Sequence, residues 1–454
     1  MSKKLSKEFK WIISIIGSTV GLFIFLLLVG FIVDCCTYPV LKKAGDEAQK
    51  TLMSSVKDEP GNGWDYYSSA IEKSKNIKSD WIWYKYLDGE TEITPEIEKV
   101  IKENKDAIDK VKEGSKQGFC SIPYDYSKGK AVKIPDFMSL RRITEITCMK
   151  SLMELEGAEN EKALDDILSV AAVGKHIANS SPNLVNQMIG FVFLNQAMKV
   201  LKIGLSADAF SEHELRIISE SLRRTEMTFP MLASGLDGEK EQWQISLANR
   251  SLYKSVGDFA QLFFYENKIP SIFERIVFRF YCWRYLFSPR LASLRSFDYI
   301  DYIVSQMQII ENNYTQKCKK SENNTRMKEE LYENAKDYAA KNPVFSAVFP
   351  NFIVLYNRKC EAHTRLRILC LACKIQSYYL KKHQFPVDLN EIGGDIITDF
   401  NTGKMWDYTT SGDFKSLFSL GPNQKSTLDD ISITLKTIGL KEYLWRKRKG
   451  ISDE

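Results

Sequence analysis

Asp399, Asp413, Asp429 and Asp430 are the residues of this chain suited to converge on a hard cation, because such ions take several oxygen ligands at once. The same aspartates also read as caps of turns and edge strands, a common use of Asp. Histidine is scarce, with four in the whole chain. His213-Glu214 has no second histidine four residues on, which excludes the paired-histidine helix of zinc proteases. His176 reads as a helix-end residue near the carbonyl dipoles, and His363 lies near Glu361 without a nucleophile context. Cys370-Leu-Ala-Cys373 sits in an apolar helical stretch with no second pair, so it reads as two small residues one turn apart on a buried face. No phosphate-binding glycine loop, dinucleotide fingerprint or nucleophile elbow is present. No reaction follows from these residues; an enzyme here would be an extracytoplasmic hydrolase whose site is assembled from distant positions of the helical domain.

The elements that would carry such groups begin with an uncharged apolar run, Trp11 to Val33. A helix of that length reaches roughly 34 Å, enough to cross a bilayer core, and in lipid a helix satisfies every backbone group internally. Lys3, Lys4, Lys7 and Lys10 precede the run against a single Glu8. The excess of positive charge predicts a single-pass anchor with its N-terminus in the cytoplasm and its bulk outside. A cleaved signal peptide is the rival reading, but no small-x-small site follows. The chain as a whole is 27% charged and 44% hydrophobic, a globular composition. A net charge of +5 spread over many residues gives no sign of nucleic acid, and Arg446-Lys447-Arg448-Lys449 reads as a solvated basic tail. Nine cysteines, an odd and scattered set, do not form a disulfide framework.

From Tyr38 to about Leu380, apolar residues recur at three and four spacings, which predicts paired helices joined by short loops. Thr94-Pro95-Glu96 opens a helix towards Glu113, Asp136 caps one through Glu156, and Ser211 with Glu214 forms a capping box. Residues 269–294 mix aromatics with Arg275, Arg279, Arg284 and Arg290. That mixture argues against a second span and leaves two readings: an interfacial helix on the membrane, or a buried helix whose arginines pair with acidic neighbours. After Leu380, Lys415 to Leu420, Ile431 to Leu435 and Met405 to Thr410 read as strands separated by glycine turns.

This last stretch carries an ordered set of motifs: Phe385-Pro386, Leu389 and Ile392; Asp399, Thr402-Gly403-Lys404 and Tyr408; Phe418-Ser419-Leu420-Gly421-Pro422-Asn423; and Asp429-Asp430-Ile431. It resembles the C-terminal half of the major pseudopilins of type II secretion. That resemblance implies a long helix feeding a small sheet, a calcium site at Asp399, Asp413, Asp429 and Asp430, and a link to a secretion or pilus-like system. Phe400 replaces the family's proline, and Asn423-Gln424-Lys425-Ser426-Thr427 replaces its glycine-rich loop. The N-terminus has no Gly-Phe cleavage point, which separates the chain from pilin subunits. Asn62-Gly-Trp-Asp-Tyr-Tyr, the Leu164 to Val173 helix and Glu239 are also similar in layout to uncharacterised bacterial membrane-anchored helical proteins with this tail.

The expected fold is mainly α: leader 1–10, transmembrane anchor 11–33, helical domain 34–364, a helix and small α+β module 365–438, and basic tail 439–454. The expected function is a membrane-anchored envelope protein that binds or scaffolds other envelope proteins.

Overall fold

A computed structural model describes the chain except residues 1, 58, 76, 78–80, 249–271, 287, 317–320, 349–351, 393–404, 412–413, 420–430, 437 and 451–454. Helix α1 (Ser2–Ser55) runs unbroken from the leader through the apolar run and on into the domain. Its segment Ile16–Ser55 is long and apolar enough to cross a membrane, and its most apolar window is almost wholly exposed. Helix α8 (Leu184–Ser206) also has the length and hydropathy of a span, but most of it is buried inside the protein.

The helices between these two are α2 (Gly63–Lys73), α3 (Trp81–Leu87), α4 (Pro95–Glu103), α5 (Lys105–Ser115), α6 (Phe137–Glu156) and α7 (Asn160–Asn179). Thr94 caps α4 with Pro95 at its first position, as its sequence signature predicts. The helix expected to continue to Glu113 instead breaks at Asn104. Asn104 is fully buried, and its side-chain amide bonds both the backbone amide and the carbonyl of Lys75 (2.8 and 2.9 Å). An Asn that satisfies a distant backbone in this way competes with the helix at its own position.

Next come α9 (Glu212–Thr228), with the expected Ser211–Glu214 capping box, and α10 (Leu232–Ala248). Helices α11 (Ile272–Tyr281), α12 (Pro289–Gln316), α13 (Ser321–Lys341) and α14 (Pro343–Val348) lead to the long α15 (Phe352–Lys382). Strands β1 (Asp407–Ser411), β2 (Phe414–Ser419) and β3 (Ile431–Lys436) form an antiparallel sheet in that order, with Tyr408 opposite Leu417 and Leu417 opposite Ile433. Helix α16 (Leu440–Arg448) closes the described chain. Of the basic run expected as a solvated tail, Lys447 and Lys449 are exposed, but residues 446–448 end a docked helix with Leu440 and Leu444 buried and Arg448 paired to Glu156 at 2.8 Å.

Apolar burial falls into three clusters, which share out the helix faces. The largest joins α6–α9, α15, the sheet residues Leu417, Ile433 and Leu435, and Leu444 of α16. The second gathers α10, α12 and α15 around Leu41, and the third gathers α2 and α5–α7 around Ala48 and Leu52. The second half of α1 thus contributes to two cores. Its Gly45 crosses α10 so closely that a Cβ would lie 2.2 Å from the Ala248 Cβ. The pairing of α7 with α8 is similarly tight, since a Cβ on Gly174 would lie 2.8 Å from the Gly190 carbonyl oxygen.

Candidate functional site

The cleft that concentrates ionisable groups is built on the one charged stripe of α8. Lys199 and Lys202 are the only charged residues in that helix, and with Val192, Asn195, Gln196 and Ile203 they share the face that leaves Phe193, Leu194, Val200 and Leu201 to the core. Tyr84 and Leu87 of α3 with Asp88 beyond it, Arg141 and Glu145 of α6, Arg365 of α15 and Lys447 of α16 complete the lining. The cleft measures about 520 Å³.

Two carboxylates stand among five cations. Asp88 pairs with Lys199 at 2.6 Å. Glu145 is buried and accepts from Arg141 Nε at 3.0 Å and Gln196 Nε2 at 3.2 Å, while Thr144 donates to Gln196. Burial pushes the Glu145 carboxyl upward, and Arg141 works against that shift. Lys202 and Lys447 form no ion pair among the described residues. Lys202 and Lys447 both remain exposed, but partial loss of solvent around Lys202, with Lys447 and Arg365 nearby, lowers its ammonium. The Lys447 ammonium is lowered in the same way, with Lys199 adding to the effect and Asp88 and Glu90 opposing it. The described lining residues offer ammonium and guanidinium donors and amides, with no histidine, serine or cysteine among them. Arg141, Lys199 and Arg365 of the lining already hold carboxylate partners, Glu145, Asp88 and Glu361.

The other ionisable clusters are structural. Glu311 is buried, accepts from the backbone amides of Leu232 and Ala233 at the start of α10, and pairs with Lys359 at 2.5 Å. Asp166 is bracketed by Lys112 and Lys150, both at 2.5 Å. His176 is buried with its Nδ1 2.8 Å from the Tyr67 hydroxyl, and burial lowers its pKa to about 4. His363 is buried beside Glu226, at 3.8 Å, which Arg367 also holds at 2.5 Å. Cys370 and Cys373 are buried as expected, and burial pushes both thiols up, Cys370 to about 12.

Two arginines of the 269–294 stretch meet an acidic partner supplied by α1. Asp34, fully buried, pairs with Arg279 at 2.8 Å, and accepts from the Ser288 hydroxyl and from the Arg290 backbone amide at 3.1 Å. The Arg290 guanidinium also lies over the Tyr38 ring, 4.5 Å from its centre. Ser288 caps α12 ahead of Pro289, so Asp34 adds a carboxylate to a helix N-terminus.

Asp399, Asp413, Asp429 and Asp430, the residues expected to hold calcium, lie outside the described residues. The cleft was not singled out from sequence. Its legible signal was Lys199 and Lys202, three residues apart in an otherwise uncharged helix. The chain matches no family model, no curated protein and no solved structure.

Proposed function

We propose that this chain is a single-pass envelope protein of a bacterial inner membrane, N-terminus cytoplasmic, whose helical domain binds an acidic segment of another envelope protein. The observation that carries the binding reading is the cleft, where Arg141, Lys199, Lys202, Arg365 and Lys447 gather around Asp88 and Glu145, and Lys202 and Lys447 make no ion pair among the described residues. Charge complementarity of this kind steers a partner and fixes its register more than it adds raw affinity. The anchor reading rests on the apolar run and its basic leader, with α1 continuing from that run into the helical domain. The pseudopilin-like order of motifs in the tail suggests where the partner belongs, a secretion or pilus-like system. The described sheet has the helix-then-strands order that this resemblance implies.

Calorimetry with full-length protein in nanodiscs and a short polyglutamate peptide tests the reading. Reversing two charges, K202E with K447E, should weaken binding by about 1–2 kcal/mol, roughly five- to thirtyfold, and flatten its salt dependence. Equal affinity for polyglutamate and polylysine, or no effect of the reversal, would remove the support for an acidic partner.

A further inference from the structure

A second cavity lies against the apolar run itself. It measures about 860 Å³ and is walled by Phe23 of α1, Ile276, Val277 and Phe280 of α11, and the corner between α13 and α14. Phe23 stacks on Phe280 with ring centres 5.3 Å apart. Gly30 is the first buried residue of α1 among those whose side-chain environment is described, so the stretch from Trp11 to Gly30 is available to span a bilayer core of about 30 Å. Phe23 then lies seven residues inside that boundary, about 10 Å below it along the helix. This is the depth at which interfacial helices bury their apolar faces.

Around the stack, α1 exposes Leu22 (58%) and Phe25 (60%), while Tyr281 and Trp283 of the cavity wall and the nearby Leu286 are each more than half exposed. Lipid covering the first set must also reach the second. Arg284 and Lys341 are the two cations in the cavity's lining among the described residues. Lys341 pairs with Asp337, whereas Arg284 makes no ion pair among the described residues and lies over Trp283, 5.2 Å from the ring centre. Long cationic side chains reach from apolar depth to the headgroup layer, and Trp and Tyr favour that same layer. Two cations lining an apolar cavity match a lipid with an anionic headgroup.

We propose that α11 and the turn after it are seated in the outer leaflet. The cavity takes an acyl chain of an anionic phospholipid, with its phosphate on Arg284 and Lys341. This rests on the reading that α1 spans the membrane. The Asp34–Arg279 pair then pins the seated segment to the anchor, so one arginine of the stretch is structural and another faces lipid.

Native mass spectrometry of the full-length protein, released from bilayers of equal phosphatidylglycerol and phosphatidylcholine, tests the site. The parent protein should retain phosphatidylglycerol, and R284Q with K341Q should reduce that retention about tenfold while leaving the thermal midpoint unchanged. Inorganic phosphate at millimolar concentration should not compete, because the acyl chain contributes much of the binding. Equal retention of the two lipids, or retention unaffected by the paired substitution, would overturn the proposal. Competition by free phosphate would instead mark a simple anion site and overturn the lipid assignment. Alkaline carbonate extraction of cell membranes separates this failure from failure of the anchor. Protein that resists extraction yet retains no lipid refutes the cavity alone, whereas extracted protein refutes the span.

Discussion

Replacing Asp34 by Asn isolates one charge at the junction between anchor and domain. Asn retains an oxygen for Ser288 and the Arg290 amide but removes the anion that Arg279 meets at 2.8 Å. Breaking a buried ion pair by removing one partner costs about 3–5 kcal/mol, because the remaining charge is left unpaired. The Arg279 side chain is 14% exposed, which places the expected loss near the low end, about 3 kcal/mol. At about 2–4 °C per kcal/mol for a large domain, the midpoint should fall by roughly 6–12 °C. Intrinsic fluorescence during thermal unfolding of full-length protein in nanodiscs reads this directly. Asp34→Leu should lose a further ~1 kcal/mol with the helix-capping contact. Because Asp34 and Arg279 share one interaction, Asp34→Asn with Arg279→Gln should cost at least 1 kcal/mol less than the sum of the single changes. A midpoint within 1 °C of the parent for Asp34→Asn, or strict additivity in the cycle, would refute the reasoning.

Three further outcomes follow from the same physical reasoning. The pKa of His176 is lowered to about 4 by burial, so the native state binds fewer protons than the unfolded chain between pH 4 and 6.5; on the order of 3 kcal/mol of stability should be lost as pH falls through that window, and His176→Gln should flatten the midpoint-versus-pH curve there. Glu241 has the opposite sign. Burial, with Asp237 nearby, raises it to about 7, so its contribution weakens as pH rises from 4.5 to 7, and Glu241→Gln should melt above the parent at pH 8 and match it more closely at pH 5. Gly174→Ala puts a Cβ 2.8 Å from the Gly190 carbonyl oxygen and 2.9 Å from the Leu194 amide, so α7 and α8 must separate at a cost of about 1–3 kcal/mol; Gly118→Ala, where nothing lies within 4 Å, is the matched control and should leave the midpoint unchanged.

Legibility in the sequence follows how local each determinant is. The apolar run, the Asp136 cap, the Ser211–Glu214 box and the β2 and β3 strands are written in consecutive residues, and the structure places each where its signature lies. Asn104 shows where local reading stops, since helical periodicity continues through it and only its bond to Lys75, 29 residues away, explains the break. Asp34 reads as the first charge after a span, but its role depends on Ser288 and Arg290, which are 254 and 256 residues distant. The cleft is the extreme case, because its lining runs from Tyr84 to Lys447. The basic run 446–449 looked solvated because nothing in four consecutive cations shows that Leu440 and Leu444 seat the preceding turns in the core.

The most direct test of an acidic partner in the cleft is a photo-cross-link in living cells, with benzoylphenylalanine placed at Tyr84 or Asn195 in the cleft and at the exposed Glu220 of α9 as a control. Both cleft positions should capture the same envelope protein, mapped by mass spectrometry to an Asp- and Glu-rich segment. That product should disappear in K202E with K447E and be absent from Glu220. A product of equal yield from Glu220, or one that maps to a basic or uncharged segment and survives the charge reversal, would contradict the proposed function.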